Sequence, residues 1–150
     1  MSNDDIIDTL NDLIETSKDG EYGFRTSAEY LKDAAVKQVF MARAEECRQA
    51  AAELQQLVLQ YGGKPDDSGS AAGALHRGWV AVKGTLAGYT DKAILEETER
   101  GEDTALASYR KALEQELPLD ARLLIERQLE GVKRNHLQVR TLRDQARAMS

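Results

Sequence analysis

The stretch from Leu95 to Leu113, LEETERGEDTALASYRKAL, decides the fold of this chain. Its residues at every third or fourth position share one face of an α-helix, because that spacing matches the helical turn. The face consists of Leu95, Thr98, Glu102, Leu106, Tyr109 and Leu113. A carboxylate therefore lies at the centre of a face that is otherwise suited to burial. Because a buried charge must be paired, hydrogen-bonded or bound to a metal ion, Glu102 is the first candidate functional residue.

The helix around this stretch is predicted to begin with Asp91 as its N-cap and to run to Glu116. Pro118 stops it, since proline lacks the backbone N–H that a helix interior needs. A last helix then follows from about Leu119 to Ala148. Its core stripe contains one imidazole and is formed by Ile125, Leu129, Val132, His136, Val139 and Leu142.

The first helix of the chain is predicted to start at Ser2 or Asn3, either of which is a good N-cap. Its stripe advances in alternating steps of three and four, the rhythm of bundle helices. The rhythm passes in phase through Gly20 and Gly23, so we predict a continuous helix in which the glycines allow a neighbour to approach closely. The stripe is formed by Ile7, Leu10, Ile14, Ser17, Glu21, Phe24, Ala28 and Leu31.

A turn near Lys32 to Ala35, with Asp33 as the next N-cap, is predicted to separate the first helix from the second. The second helix ends at Gly62-Gly63, as is typical of helix C-termini. Its stripe includes a cation and a thiol and is formed by Val36, Phe40, Arg43, Cys47, Ala50, Leu54, Leu57 and Tyr61.

The connection between the second and third long helices is much longer than the other turns. It holds a loop at Lys64 to Gly69 and a short helix from Ser70 to about Gly88, which carries His76 and Trp79. One long crossover in a four-helix bundle is typical of the ferritin-like arrangement, and it makes the second and third long helices parallel. We therefore predict an all-α, ferritin-like four-helix bundle, with a short extra helix in the crossover and residues 1–150 forming one domain.

The composition excludes several classes of function. The net charge of −6 and the pI near 5.0 argue against binding nucleic acid. No apolar run approaches the roughly 20 residues that span a bilayer, and the acidic N-terminus does not resemble a signal peptide. A single cysteine, Cys47, fits a reducing compartment. We expect a soluble, cytoplasmic protein that binds neither nucleic acid nor membrane.

Several polar side chains are predicted to meet in one layer of the core. Counted at about 1.5 Å per residue from the turn between the first two helices, Glu21, Glu46 and Glu102 lie at one level, and His136 lies about one turn beyond. These residue types bind Fe or Mn in ferritin-like di-iron proteins. Arg43 lies at the same level and is expected to neutralise Glu21 or Glu102.

Three short motifs give the sequence a family resemblance: DGEYGF at Asp19 to Phe24, LHRGW at Leu75 to Trp79, and ERGED at Glu99 to Asp103. The chain resembles a bacterial family of uncharacterised, ferritin-like four-helix-bundle proteins. The resemblance implies a ferritin-like fold but no established activity. It also implies that Glu102 and Glu21 correspond to the single glutamates of two metal-binding helices.

The remaining ligand positions depart from the di-iron pattern, which uses Glu-x-x-His on two helices. The second helix has the sequence Glu-Cys-Arg-Gln from Glu46, and the last helix has Lys-Arg-Asn-His ending at His136. The first therefore lacks the imidazole, and the second has a lysine in place of the carboxylate.

Three hypotheses follow from the sequence. The first is a ferritin-like bundle without catalytic activity, whose polar layer of Arg43, Glu21 and Glu102 is salt-bridged and whose role is interaction or assembly, as a homodimer. The second is a di-iron or di-manganese oxidoreductase or metal-handling protein that uses Glu21, Glu46, Glu102 and His136. The third is a small-molecule binding module at the crossover helix.

Overall fold

A computed structural model of the protein describes residues 1–65 and 88–149. These residues form helices and connecting turns, which confirms the all-α prediction. The short helix predicted in the crossover, with His76 and Trp79, lies outside the described residues, apart from its last position at Gly88. The four helices are α1 (Asn3–Tyr30), α2 (Ala34–Gln60), α3 (Asp91–Leu113) and α4 (Leu119–Ala148).

The ends of the first two helices are set by local side-chain hydrogen bonds. Ser2 is the N-cap of α1 and forms a capping box with Asp5, in which each side chain accepts from the other residue's backbone N–H. Asp33 caps α2 by accepting from two backbone N–H groups. Helix α1 continues through Gly20 and Gly23. The predicted start, turn and continuity of these helices are therefore confirmed.

The start of α3 differs from the prediction. Thr90 is the N-cap, and its hydroxyl accepts from the backbone N–H of Ala93 at 3.2 Å. Asp91 instead accepts from the backbone N–H groups of Lys32 and Asp33, both at 2.9 Å. The Asp91 carboxylate, predicted to cap its own helix, thus bonds the start of α3 to the turn between α1 and α2.

The end of α3 also differs, because the helix stops at Leu113 and not at Glu116. There the guanidinium of Arg122, on α4, donates to the backbone carbonyl oxygens of Leu113 and Gln115. These bonds satisfy carbonyl groups that the end of a helix leaves without an intrahelical partner.

Contacts at both ends of the bundle define its topology. The bonds from Lys32 and Asp33 to Asp91 put the starts of α2 and α3 at one end. At the other end Thr9 of α1 donates to Gln115, just beyond α3, at 2.8 Å. Helices α2 and α3 are therefore parallel, as predicted, and the bundle is ferritin-like.

Two apolar clusters form the core. One lies at the end of the bundle where α1 begins, and the other surrounds Phe24 and Phe40, whose rings meet edge to face with centroids 5.3 Å apart. The first is built on Leu10, Leu13, Ile14, Leu54, Val58, Tyr109 and Ile125, and the second on Phe24, Leu31, Phe40, Ile94, Leu95 and Val139. The core also contains buried polar residues: Thr9, Ser17, Ser27, Glu102, Gln128 and Asn135.

Within residues 1–65 and 88–149, no helix has both the length and the apolar composition that crossing a membrane requires.

Candidate functional site

Glu102 is buried at the level between the two apolar clusters. The residue is only 6% exposed, and its Oε1 atom has no hydrogen-bond partner among the described residues. Burial raises the pKa of Glu102 to about 8, against an opposing effect of the nearby Arg43 charge. At neutral pH the carboxyl group is therefore mostly protonated, because the core disfavours its charged form.

Arg43 is one of three polar side chains that bond to one another and join α2 to α4. Its Nη1 donates to the side-chain oxygen of Asn135 and lies 3.1 Å from a carboxylate oxygen of Glu46. Asn135 in turn donates through Nδ2 to Glu46 at 3.1 Å. We call these three residues the Arg43 triad.

The ion pairs of this layer differ from those expected. Arg43 pairs with Glu46, one turn along its own helix, and not with Glu21 or Glu102. Glu21 pairs with Arg25 at 2.7 Å, also on its own helix. Local partners three or four residues away compete well with partners on other helices, because the helix already holds them close.

His136 faces α3 at the edge of the bundle. Its Nε2 atom lies 2.7 Å from a carboxylate oxygen of the exposed Asp103, and its side chain is 20% exposed. Asn135 is buried where His136 was expected to be, although Ile125, Leu129 and Val139 of the predicted stripe are buried as expected.

The four residues predicted to hold Fe or Mn do not form a fitting ligand set. Within the two described segments, no three His, Cys, Asp or Glu side chains form a group able to hold a metal ion. Glu21, Glu46 and His136 are bound to Arg25, Arg43 and Asp103 respectively. Metal binding by this chain stays a prediction for direct measurement.

A second buried network lies deeper in the bundle and was missed in the sequence. The Tyr109 hydroxyl donates to Gln128 at 2.7 Å and lies 3.3 Å from the Ser17 hydroxyl. Gln128 donates through Nε2 to the backbone carbonyl of Ala50 at 3.2 Å. Gln128 and Asn135 are seven residues apart and so lie on one face of α4, and this repeat of amides was the available signal.

Gly20 and Cys47 bring α1 and α2 into close contact. A Cβ atom on Gly20 would lie 2.8 Å from Sγ of Cys47, which is closer than real Cβ contacts allow. The predicted close approach is therefore confirmed at this glycine. Burial, with a further contribution from Glu102, raises the pKa of the Cys47 thiol to about 12, so the thiol is not ionised at neutral pH.

A cavity of about 520 Å³ lies beside Glu102, mainly between α1 and α3. Three glycines line it, so that its walls are partly backbone. Its described lining comprises Asp19, Gly20, Gly23, Phe24 and Ser27 of α1; Cys47 of α2; Tyr89; Glu97, Thr98, Arg100, Gly101, Glu102, Thr104 and Ala105 of α3; and Val132 and Asn135 of α4.

Solved structures with the same fold include proteins from two bacteria. A mutant of Mycobacterium smegmatis Dps1 has a TM-score of 0.76 and 16% identity, over 94% of this chain and 96% of that chain. The tetragonal form of Mycobacterium smegmatis Dps has a TM-score of 0.75 and 17% identity, over 93% and 86% of the two chains. The bacterioferritin-related protein of Bacteroides fragilis, described as a dodecameric thioferritin, has a TM-score of 0.78 and 18% identity, over 99% and 90%.

These identities are low, so the likeness is one of fold. No curated protein matches the chain significantly. The resemblance inferred from the sequence motifs, to a bacterial ferritin-like family without an assigned activity, is confirmed. Residues 5–115 match the model of the family described as a domain of unknown function (DUF2383), and the chain belongs to that family.

Proposed function

We propose that this protein is a cytoplasmic, non-catalytic ferritin-like bundle that acts by assembling with further copies of itself. In this proposal the Arg43 triad takes the place of a metal centre. The observation that carries it is the bonding of Glu46, a predicted metal ligand, to Arg43 and Asn135. A guanidinium at this level neutralises a carboxylate that a metal ion would otherwise neutralise.

A polar layer of this kind has a structural role of its own. Replacing buried ionic groups by apolar ones is often neutral for stability, so such groups are better suited to specifying one packing arrangement. The Arg43 triad fixes the relative position of α2 and α4, and the Tyr109 network does the same for the four described helices. Because these polar networks fix the helices relative to one another, the outer surface of the bundle keeps one shape, as assembly with other copies requires.

The outward face of α4 is the surface that we propose for assembly. Leu119, Leu123 and Leu137 are 71%, 56% and 63% exposed. Their spacings of 4 and 14 residues keep them on one side of the helix. If two copies of α4 pack antiparallel about a two-fold axis, Leu119 and Leu123 of each copy lie opposite Leu137 of the other. A two-fold interface of this type uses the same patch twice.

Substitution of Leu137 by glutamate tests the assembly. We expect the wild-type protein to sediment as a dimer and Leu137→Glu to sediment as a monomer, because the substitution puts two carboxylates into the apolar interface. Analytical ultracentrifugation at micromolar concentration measures this. Leu59→Glu is the matched control, since Leu59 is 55% exposed and lies on α2, outside the proposed α4 patch. Equal sedimentation of all three proteins would rule out this surface.

Metal analysis tests the rival di-metal hypothesis. Protein purified without chelators is expected to carry well under one Fe or Mn per chain, because Glu21 and Glu46 are paired with arginines and burial keeps Glu102 mostly protonated. Elemental analysis by mass spectrometry measures the content. One or more ions per chain, lost in Glu102→Ala, would overturn the non-catalytic proposal and support a di-metal protein.

A further inference from the structure

The cavity between α1 and α3 has the size and character of a small-molecule site. Its volume of about 520 Å³ falls within the range of about 300–1,000 Å³ that is usual for ligand pockets. Phe24, Ala105, Val132 and the glycines give it apolar surface, and polar side chains, Glu102 among them, line the rest. Pockets of this composition bind ligands that combine an apolar body with one or two polar atoms.

Glu102 supplies a polar group that has no internal partner. Its residue is 94% buried, since only 6% of its surface is exposed, and it lines the cavity. Its Oε1 atom lacks a hydrogen-bond partner among the residues that the structure describes. Buried polar atoms are rarely left in this condition, and each exception calls for an explanation. A ligand in the cavity would supply the missing partner.

The charges around the cavity favour a cation. Asp19, Glu97 and Glu102 are acidic, and Arg100 is the one basic residue in the described lining. Arg100 is engaged by Glu97, with which it forms an ion pair. The described lining therefore holds three acidic side chains and one basic side chain.

The glycines of the lining provide the space for a ligand. A Cβ atom built on Gly101 would meet nothing within 4 Å, so this position of α3 faces open space. On the opposite wall, Gly23 belongs to α1 and carries no side chain into the cavity.

We propose that this cavity binds a small organic cation, an alkylammonium or arylalkylammonium ion, whose ammonium group donates to Oε1 of Glu102. The apolar part of the ligand lies against Phe24 and the glycine-lined walls. Glu102, mostly protonated while the cavity is empty, then releases its proton to solvent, because the ammonium group provides the counter-charge that the ionised carboxylate needs. This site is separate from the proposed assembly surface on α4, so each proposal fails or holds independently.

Isothermal titration with 4-phenylbutylamine and its neutral analogue 4-phenylbutan-1-ol tests the charge requirement. We expect the amine to bind the wild-type protein at one site per chain, and the alcohol to bind about tenfold more weakly, because its hydroxyl donates a neutral hydrogen bond in place of a charge-assisted one. Glu102→Gln should weaken amine binding by a similar factor. Glu114→Gln, which neutralises an exposed carboxylate at the end of α3, should leave amine binding unchanged.

A second pair of variants tests the location without touching Glu102. Gly101→Leu should fill the cavity and reduce amine binding at least tenfold, while the better helix propensity of leucine preserves the fold. Gly131→Leu places the same side chain on α4, outside the described cavity lining. This variant should bind the amine with the same affinity as the wild-type protein. Thermal unfolding shows that each variant is folded.

Three results would overturn the proposal: no saturable binding of the amine by the wild-type protein, equal binding of amine and alcohol, or undiminished binding by a folded Gly101→Leu variant. If Glu102→Gln does not fold, the comparison of amine with alcohol and the two glycine variants decide the outcome.

Discussion

The free energy of unfolding is expected to fall by about 3–5 kcal/mol as the pH rises from about 4.5 to about 8, and Glu102→Gln should remove this decrease. The cause is the raised pKa of the buried Glu102 carboxyl, about 8 in the folded protein against 4.5 for the ordinary value. Between these two pH values the unfolded chain has released the proton while the folded protein still holds it. Stability must then decrease with rising pH, by up to about 1.4 kcal/mol per unit.

Urea denaturation at pH 5.5, 7.0 and 8.5 measures this effect. Glutamine keeps the size of the side chain but carries no charge at any of these pH values. The free energy of unfolding of Glu102→Gln should therefore increase relative to that of the wild type as the pH rises. Glu114→Gln is the matched control at the end of the same helix, and its free energy of unfolding should change with pH as that of the wild type does. If the free energy of unfolding changes with pH equally in the wild type and Glu102→Gln, Glu102 is not kept protonated by burial.

Arg43→Ala is expected to destabilise the protein by about 2–4 kcal/mol at neutral pH. The substitution removes the donor to buried Asn135 and the ion-pair partner of Glu46. It also removes the nearby positive charge that opposes the rise in the pKa of Glu102. Because Glu46 is half exposed, water can solvate its carboxylate, so the loss is smaller than for a fully buried pair.

Arg48→Ala is the control for this prediction. Arg48 lies on the same helix and also pairs with a glutamate three residues away, Glu45, but both side chains are about half exposed. Exposed pairs of this kind contribute about 0–1 kcal/mol. Chemical denaturation of both variants measures the difference, and equal losses would mean that the Arg43 triad has no special structural role.

The helices and their order are determined by local features of the sequence. Ser2 and Asp33 cap α1 and α2 as expected, because capping involves only the residues next to them. The period of the apolar stripe correctly predicted that α1 continues through Gly20 and Gly23. The long connection before α3 was enough to predict the parallel arrangement of α2 and α3, since a chain crossing the length of the bundle needs that many residues.

The bonding partners of the polar residues were decided by the tertiary structure. Asp91 was predicted to cap its own helix, but the α1–α2 turn presents two N–H groups to it. Asn135 is buried more deeply than His136, although Ile125, Leu129 and Val139 of the predicted stripe are buried as expected. Asn135 and His136 lie on either side of the centre of that stripe, so the sequence pattern does not specify which of them is more buried.

The sequence by itself determined an all-α ferritin-like bundle with Glu102 buried at its centre, because helix period and capping are local properties. Only the tertiary structure decided that Arg43 binds Glu46 and Asn135 and leaves Oε1 of Glu102 beside a cavity. Hydrogen bonds form within about 3 Å, and the relative rotation and separation of whole helices set the distances between such groups.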